Sequence, residues 1–383
     1  MHTLVLTEQF LPTVGGSITW LVNTYSRYDP ENVIFVASQS AGGEAVDRTL
    51  PFPVERTAMT MSDWDPTIPA SLLCYLKSAL CVRRTCRKYK IRQIHCAKVL
   101  PEGLIAFIAS LYTHIPFLVY AHGEEIQSGL TSRKFKWLLP KIYDKAFAIV
   151  ANSSNTNRLL QEIGVMPSKI HIIHPGVDAQ QFIRGMNSSE VIKNRYNLCQ
   201  KRILLTVGRL QRRKGHDMVI KALPRIKQRF PNVHYVVVGT GEELSSLQKL
   251  ASEEGVTDSV LFVGYVPDHE IPSYYAACDI FLMPNRQIEA DIEGFGMVFL
   301  EASAAGKPVI GGKSGGTDDA ILDGITGLRI NGDNVDQITD AVLALLSDPQ
   351  KASALGANGR RWVQETFTWD SVVSRTQALS ITI

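Results

Sequence analysis

The chain is short of the features that would make it a metal-stapled, disulfide-bonded or membrane-spanning protein. Its six cysteines (Cys74, Cys81, Cys86, Cys96, Cys199, Cys278) form no CxxC pair and match no histidine spacing, which argues against a zinc site and against a disulfide framework. Most fall inside apolar helix or strand patterns, where a reduced cysteine packs as a small hydrophobe. The longest apolar stretch, Leu104 to Leu111, is far below the roughly 20 residues a membrane span needs. The first residues include Glu8 and no basic leader before an apolar run, so no secretory signal is expected and a cytoplasmic protein is. Charge of one sign is also scarce: the net charge is +3, which creates no global demand for a nucleic-acid partner. Repeats and low-complexity tracts are missing too.

What is present is an ordinary globular composition, 45% hydrophobic and 20% charged. At 383 residues the chain is too long for one core, so two or three domains are expected. Basic residues cluster locally. Lys77, Arg83, Arg84, Arg87, Lys88, Lys90 and Arg92 occur with no acid among them. Arg133, Lys134, Lys136, Lys141 and Lys145 are interleaved with Phe135, Trp137, Leu138, Leu139 and Ile142. Both segments read as amphipathic helices. Such a face is either solvated or laid on an anionic membrane, and the pattern does not choose between them.

Short β-rich apolar runs alternate with longer helical patterns. Strands are predicted at Thr3–Leu6, Val33–Ala37, Gln93–Cys96, Phe117–Ala121, Phe147–Ala151 and Ile170–Ile173. A second series is predicted at Ile203–Val207, His234–Val238, Val260–Val263, Ile280–Met283 and Pro308–Ile310. Continuous apolarity places these strands in parallel sheets covered on both faces, hence two doubly wound α/β (Rossmann-like) domains. The polar segment from Asp178 to Arg202, with its Gly185-Met186-Asn187-Ser188-Ser189 loop signal, puts the boundary near residues 178–200. The expected domains are 1–180 and 200–367, with residues 368–383 crossing back to the first. Ligands are then expected at the C-terminal ends of the strands, in a cleft between the two domains.

The chemistry-bearing residues follow strands. Gly15-Gly16-Ser17 opens a helix after the first strand, a geometry that admits an anion but lacks the GxGxxG spacing of a dinucleotide site. His122-Gly123-Glu124 follows Phe117–Ala121; its histidine either bonds a ligand hydroxyl or holds the loop. Gly208-Arg209 ends Ile203–Val207, and Lys214-Gly215 follows. An arginine fork and a lysine point charge suit a diphosphate; the alternative is a solvated basic loop, since Gln211, Arg212 and Arg213 are also polar, and the strand-end placement favours the diphosphate. The strongest element is Glu293-Gly294-Phe295-Gly296-Met297-Val298-Phe299-Leu300-Glu301. Its glycines permit a turn that bares backbone N–H groups at a helix start, an anion site. Glu301 leans back toward that start, where a carboxylate can bind a diol, and its apolar flanks make an unpartnered surface role costly. Glu293 precedes the helix and would face a sugar's hydroxyls.

In this order along the chain, Gly15-Gly16, the His174-Pro175-Gly176-Val177-Asp178 turn, Gly208-Arg209 with Lys214-Gly215, and the Glu-x7-Glu element resemble the retaining glycosyltransferases of family 4. The resemblance spans nearly the whole chain. It implies a GT-B fold, donor binding mainly by the C-terminal domain, no metal, and a nucleotide-sugar co-substrate rather than a cofactor. It implies Arg209 and Lys214 on the diphosphate, Glu293 on the sugar, Glu301 on the ribose and His122 near the transferred sugar. Backbone contacts from Phe295, Gly296 and Met297, and Gly16 close to the donor phosphate, follow likewise. Gly15, Gly239, Tyr265 and Val266 complete the donor-binding set. Arg209, Lys214, Glu293 and His122 form the catalytic one. Within the family the chain looks most like bacterial mannosyl- and glucosyltransferases acting on polysaccharide or lipid-linked acceptors.

Two departures stand out. Many members carry a glutamate after the later Gly-Gly, where this chain reads Gly315-Gly316-Thr317-Asp318-Asp319. Similar mannosyltransferases often have a basic residue where this chain has Tyr265, which leans the expectation toward a UDP-sugar, with glucose preferred, over GDP-mannose. Rival readings are a sugar-nucleotide epimerase, which turns donor over without an acceptor, and a sensor, which leaves it intact. A third is metal-dependent transfer on Glu289, Asp291 and Glu293, which EDTA would abolish.

Overall fold

The computed structural model describes residues 2–60, 64–131, 135–185 and 188–380. Contacts divide the chain into two compact units, Met1–Pro175 with Trp369–Ile383, and Gly176–Thr368.

The first unit is built on strands β1 (Thr3–Thr7), β2 (Val33–Ser38), β3 (Val54–Thr57), β4 (Gln93–Cys96), β5 (Phe117–Ala121), β6 (Ala148–Ala151) and β7 (Ile170–Ile172). They lie in the order β3-β2-β1-β4-β5-β6-β7, all parallel. The second holds β8 (Arg202–Val207), β9 (Val233–Val238), β10 (Val260–Gly264), β11 (Ile280–Met283), β12 (Val309–Gly312) and β13 (Leu328–Ile330), ordered β10-β9-β8-β11-β12-β13 and again parallel. Each sheet reverses its winding once, between β1 and β4 and between β8 and β11. These are the topological switch points where such sheets open a crevice beyond the strand C-termini.

The central strands form because their Val, Ile and Leu runs are buried on both faces. In β8, Leu205 packs with Phe281 and Phe299 on one side, while its neighbour Leu204 packs with Leu282 and Ile226 on the other. The helix His216–Arg229 shows the matching helical period, burying Val219, Ala222, Leu223 and Ile226. Two strands escape a reading by apolar runs. Val-Glu-Arg-Thr in β3 and Leu-Arg-Ile in β13 are edge strands, half-buried and carrying charge.

The polar segment expected to link the domains folds onto the second unit. Helices Ala179–Gly185 and Ser189–Arg195 bury Phe182 and Ile192, and Leu198 joins the same core, so three apolar residues in a polar background decide the packing. Met186 and Asn187 of the predicted loop lie outside the described residues. Helix Trp369–Ala378 belongs to the first unit. Trp369 is buried there, with the Arg27 guanidinium 5.8 Å from its ring centroid.

The two basic segments part company. Helix Pro69–Lys88 buries Ser71, Tyr75, Ala79 and Val82, yet leaves Leu72, Leu73, Leu76 and Leu80 between 41% and 52% exposed. In the second segment, Leu138, Leu139 and Ile142 are buried in the core, so those apolar positions are internal packing. Lys141 lies 5.0 Å from the Trp137 ring centroid; Arg133 and Lys134 lie outside the described residues. No helix among the described residues is long and apolar enough to cross a membrane. All six cysteines are free thiols, three of them buried.

Candidate functional site

At the β8–β11 switch point the chain leaves β8 through Gly208-Arg209, makes a tight turn over Arg212–Lys214, and enters helix His216–Arg229. Gly215 makes the turn possible. Its φ is +78°, and a Cβ there would come within 2.2 Å of the Pro284 carbonyl oxygen. That contact presses the turn against the chain leaving β11.

Three side chains meet at this point. Arg213 Nη1 and Lys214 Nζ both donate to Glu293 Oε2 at 2.5 Å, and Arg213 Nε lies 2.9 Å from Asp291 Oδ1. Arg213, Lys214 and Glu293 are only 6%, 8% and 8% exposed. Burial by itself would raise the Glu293 carboxyl, but Lys214 and then Arg213 outweigh it and hold the group down to about 2. Burial pushes Lys214 the other way, below its ordinary value, with Glu293 opposing. Glu293 is therefore ionised at neutral pH. Lys214 spends one of three N–H donors on Glu293, which leaves two for an incoming anion. Arg209 stands exposed at the strand end.

Helix Met297–Ala304 begins beside the trio. Gly296 precedes it at φ +90°, and a Cβ would meet the Phe299 ring at 2.6 Å. No side chain caps the helix, so its first-turn N–H groups and the positive end of its dipole face whatever binds there. Glu301 has the partner its apolar flanks demanded, since the Tyr275 hydroxyl donates to Oε2 at 2.7 Å. Burial nevertheless raises the Glu301 carboxyl above its usual range. Phe295 is buried and Met297 half-buried. At the neighbouring strand ends Gly239 N donates to the Gly264 carbonyl at 2.9 Å. Tyr265 is 68% exposed and Val266 7%.

The structure gathers Lys214, Glu293 and the Phe295–Met297 turn, and adds Arg213, whose place in a run of polar residues gives no sign of its burial. A second addition is Arg286, 5% exposed. It forks onto Asp217 at 2.9 and 2.8 Å, while its backbone N donates to the Arg213 carbonyl at 2.8 Å. Its place just after β11, at a switch point, was the available signal. Of the acidic residues Glu289, Asp291 and Glu293, the last two are both ion-paired with Arg213. Among the described residues no group of three His, Cys, Asp or Glu side chains suits a metal ion.

The remaining candidates belong to the first unit. His122 is buried, and its Nε2–H donates to the Ala97 carbonyl at 2.9 Å, a loop-holding bond. Burial, with Lys98 adding to it, pushes the ring down to about 4, so His122 is neutral and its Nδ1 is an acceptor. Gly15 precedes helix Gly16–Tyr25 in extended backbone that any residue adopts, and a Cβ there would touch nothing within 4 Å. Its smallness leaves open space at the helix start.

Comparisons agree with this architecture. The family model described as "Glycosyl transferases group 1" matches residues 188–362, and "Glycosyltransferase Family 4" matches residues 32–181. A GDP-mannose-dependent alpha-(1-6)-phosphatidylinositol monomannoside mannosyltransferase of Mycobacterium tuberculosis is 32% identical, over 98% of this chain and 96% of its own. A GDP-mannose-dependent monoacylated alpha-(1-6)-phosphatidylinositol monomannoside mannosyltransferase of Corynebacterium glutamicum is 30% identical over 97% and 96%. Among solved structures, HepE of Anabaena in complex with UDP superposes with a TM-score of 0.85 at 19% identity, covering 99% of each chain.

Proposed function

This chain belongs to the family 4 glycosyltransferases of GT-B architecture, and from that membership we propose that it moves a hexosyl group, with retention, from a nucleotide sugar to a lipid-linked or polysaccharide acceptor. The observation that carries the reading is the buried Arg213–Glu293–Lys214 trio beside an uncapped helix start at a sheet switch point. In this reading Arg209, the two free donors of Lys214 and the N–H groups of Met297 and Val298 take the diphosphate. They stabilise the charge that grows on it as the sugar departs. Glu301, anchored by Tyr275, accepts from the ribose hydroxyls. Glu293, fixed by two cations, offers its remaining lone pairs to the sugar. Neither carboxylate serves as a covalent nucleophile, and the acceptor hydroxyl attacks from the face that the diphosphate leaves. His122, with a neutral ring, acts near the transferred sugar.

Two donors compete. The whole-length relatives named as GDP-mannose-dependent favour GDP-mannose, and we adopt it, with a glycolipid as acceptor. The second reading, UDP-glucose, rests on the uncharged, exposed Tyr265. We further propose peripheral attachment at the cytoplasmic face of the membrane, supported by the exposed leucines and basic residues of helix Pro69–Lys88. The experiment is to incubate the protein with each donor and a glycolipid extract, with and without EDTA, and follow the first-formed product by NMR. The expected product keeps the donor's anomeric configuration, forms from GDP-mannose and survives EDTA. An inverted product would end the retaining reading, and preferential use of UDP-glucose would end the mannosyl one. Donor turnover without acceptor would replace transfer by epimerisation.

A further inference from the structure

Where the chain leaves β11, two consecutive polar residues enter the interior of the second unit. Asn285 is fully buried and Arg286 is 5% exposed. Burying an amide beside a guanidinium is costly unless each group is answered, and here each is. Asn285 Oδ1 accepts from the Gly312 N–H at the end of β12, and its Nδ2 donates to the Ser314 carbonyl, both at 3.0 Å. Arg286 forks onto Asp217 in the first turn of helix His216–Arg229, and its Nε lies 3.2 Å from Asp333 in the loop after β13.

None of these side-chain bonds touches the Arg213–Glu293–Lys214 trio, yet they hold both of its banks. On one side, the Arg286 backbone N–H donates to the Arg213 carbonyl at 2.8 Å, so the fork on Asp217 fixes the residue on which the Arg213–Lys214 turn hangs. On the other side, the segment that Asn285 grips at Gly312 and Ser314 runs directly into Gly315 and Gly316. Gly316 N donates to the Glu293 carbonyl at 2.9 Å, and a Cβ on Gly315 would lie 1.9 Å from that same oxygen. The two cations and the carboxylate that pairs them are thus suspended from opposite sides of one dipeptide. We propose that Asn285 and Arg286 are positioning residues of the donor site, setting the separation of Lys214 from Glu293 and hence where the free N–H donors of Lys214 point. The word donor rests on the transferase reading; the bracing of the trio stands without it. A clamped backbone presents its donors in a geometry that an incoming phosphate would otherwise have to impose, so loosening the clamp weakens the grip on phosphate.

The test uses the full chain and reads the brace and the ligand separately. The Asn285 side chain meets two backbone groups, so Asn285→Ala breaks no ion pair. Glu293 faces Arg213 and Lys214, with Asp291 on Arg213 and Arg209 near Lys214. Looser pairing lets the Glu293 carboxyl rise from about 2 toward its ordinary 4.5. Asn285→Ala should therefore flatten the loss of stability between pH 4.5 and 2, followed by urea unfolding. Made in a Glu293→Gln chain, it should leave the slope where Glu293→Gln has put it, which a general weakening of the core would not do. Calorimetry should show GDP affinity lower by about tenfold in Asn285→Ala and Arg286→Ala. The loss should be smaller in Arg286→Lys, which keeps one ion pair to Asp217. Should Asn285→Ala not fold, Asn285→Ser, which retains a hydroxyl for Gly312 or Ser314, carries both measurements. An unchanged acid slope overturns the proposal, as does a slope change that persists in the Glu293→Gln chain. Unchanged GDP affinity in the variants of a protein that binds GDP overturns it as well. A flattened slope in a protein that never binds GDP would strike the transferase reading and leave the brace standing.

Discussion

Glu293 shares one carboxylate oxygen between an ammonium and a guanidinium, so each member of the trio is expensive to remove. Lys214→Ala should lower nucleoside diphosphate affinity by roughly tenfold to a hundredfold, the loss of one charge-assisted hydrogen bond. Calorimetry with GDP and UDP checks it, and unchanged affinity would mean the phosphates bind elsewhere. The same trio shapes acid stability. The Glu293 carboxyl sits near 2 in the folded chain against an ordinary 4.5. Its ionised form therefore stabilises the fold above pH 4.5, and that contribution is lost as pH falls through about 2. Glu293→Gln should flatten the loss of stability over that window, measured by urea unfolding at a series of pH values. An unaltered slope would show that the trio does not hold the carboxyl down. These residues also mark how far sequence reaches at this scale. Glu301 was legible because apolar neighbours leave a carboxylate few options. Arg213 was not, because a buried arginine and a solvated one look alike inside Gln211-Arg212-Arg213-Lys214, and only the fold brings Glu293 to meet one of them.

Among the elements, helix Met297–Ala304 depends on the backbone that starts it. Gly296→Ala forces a side chain into a left-handed position and against Phe299, at a cost of about 1–3 kcal/mol. A lowered melting temperature is expected, together with weaker nucleotide binding as the first-turn N–H groups shift; an undisturbed melt would deny the strain. Helix Pro69–Lys88 carries a different expectation. Replacing Leu76 and Leu80 by Gln removes exposed apolar area without touching the core. It should reduce cosedimentation with anionic phosphatidylglycerol vesicles several-fold while leaving the melt unchanged. Equal sedimentation of variant and wild type would remove the membrane reading of that face. At this scale the sequence was most readable where burial is two-sided, as in β4, β5 and β11, whose predicted and observed ends coincide. It faded at β3 and β13, whose single neighbour and partial exposure admit Glu55, Arg56 and Arg329 and break the apolar run.

For the whole molecule, two units with separate cores imply that a donor-site ligand acts on one of them. GDP at a hundred times its dissociation constant should stabilise Gly176–Thr368 by about 2.7 kcal/mol and leave the other unit's unfolding in place. Scanning calorimetry would then show one transition moving and one holding; both moving together would mean that the units unfold as one. The division itself was readable in outline from the two strand series. The assignment of residues 179–195 was not, because Phe182, Ile192 and Leu198 are too sparse to announce a packed face.

Helix Trp369–Ala378 gives the molecule an order of assembly on the ribosome. The second unit is one continuous stretch and can close once Thr368 has emerged. The first cannot. Gln93 waits for the Ser380 hydroxyl, 3.1 Å away in the finished fold, and the Ile172 carbonyl waits for Arg375. All of Gly176–Thr368 must be translated in between. At about 5–20 residues per second that delay lasts roughly 10 to 40 s, during which the nascent first unit lacks its last helix and is open to chaperones and proteases. Translation speed across the second unit thus becomes a determinant of how much of the first survives to be finished.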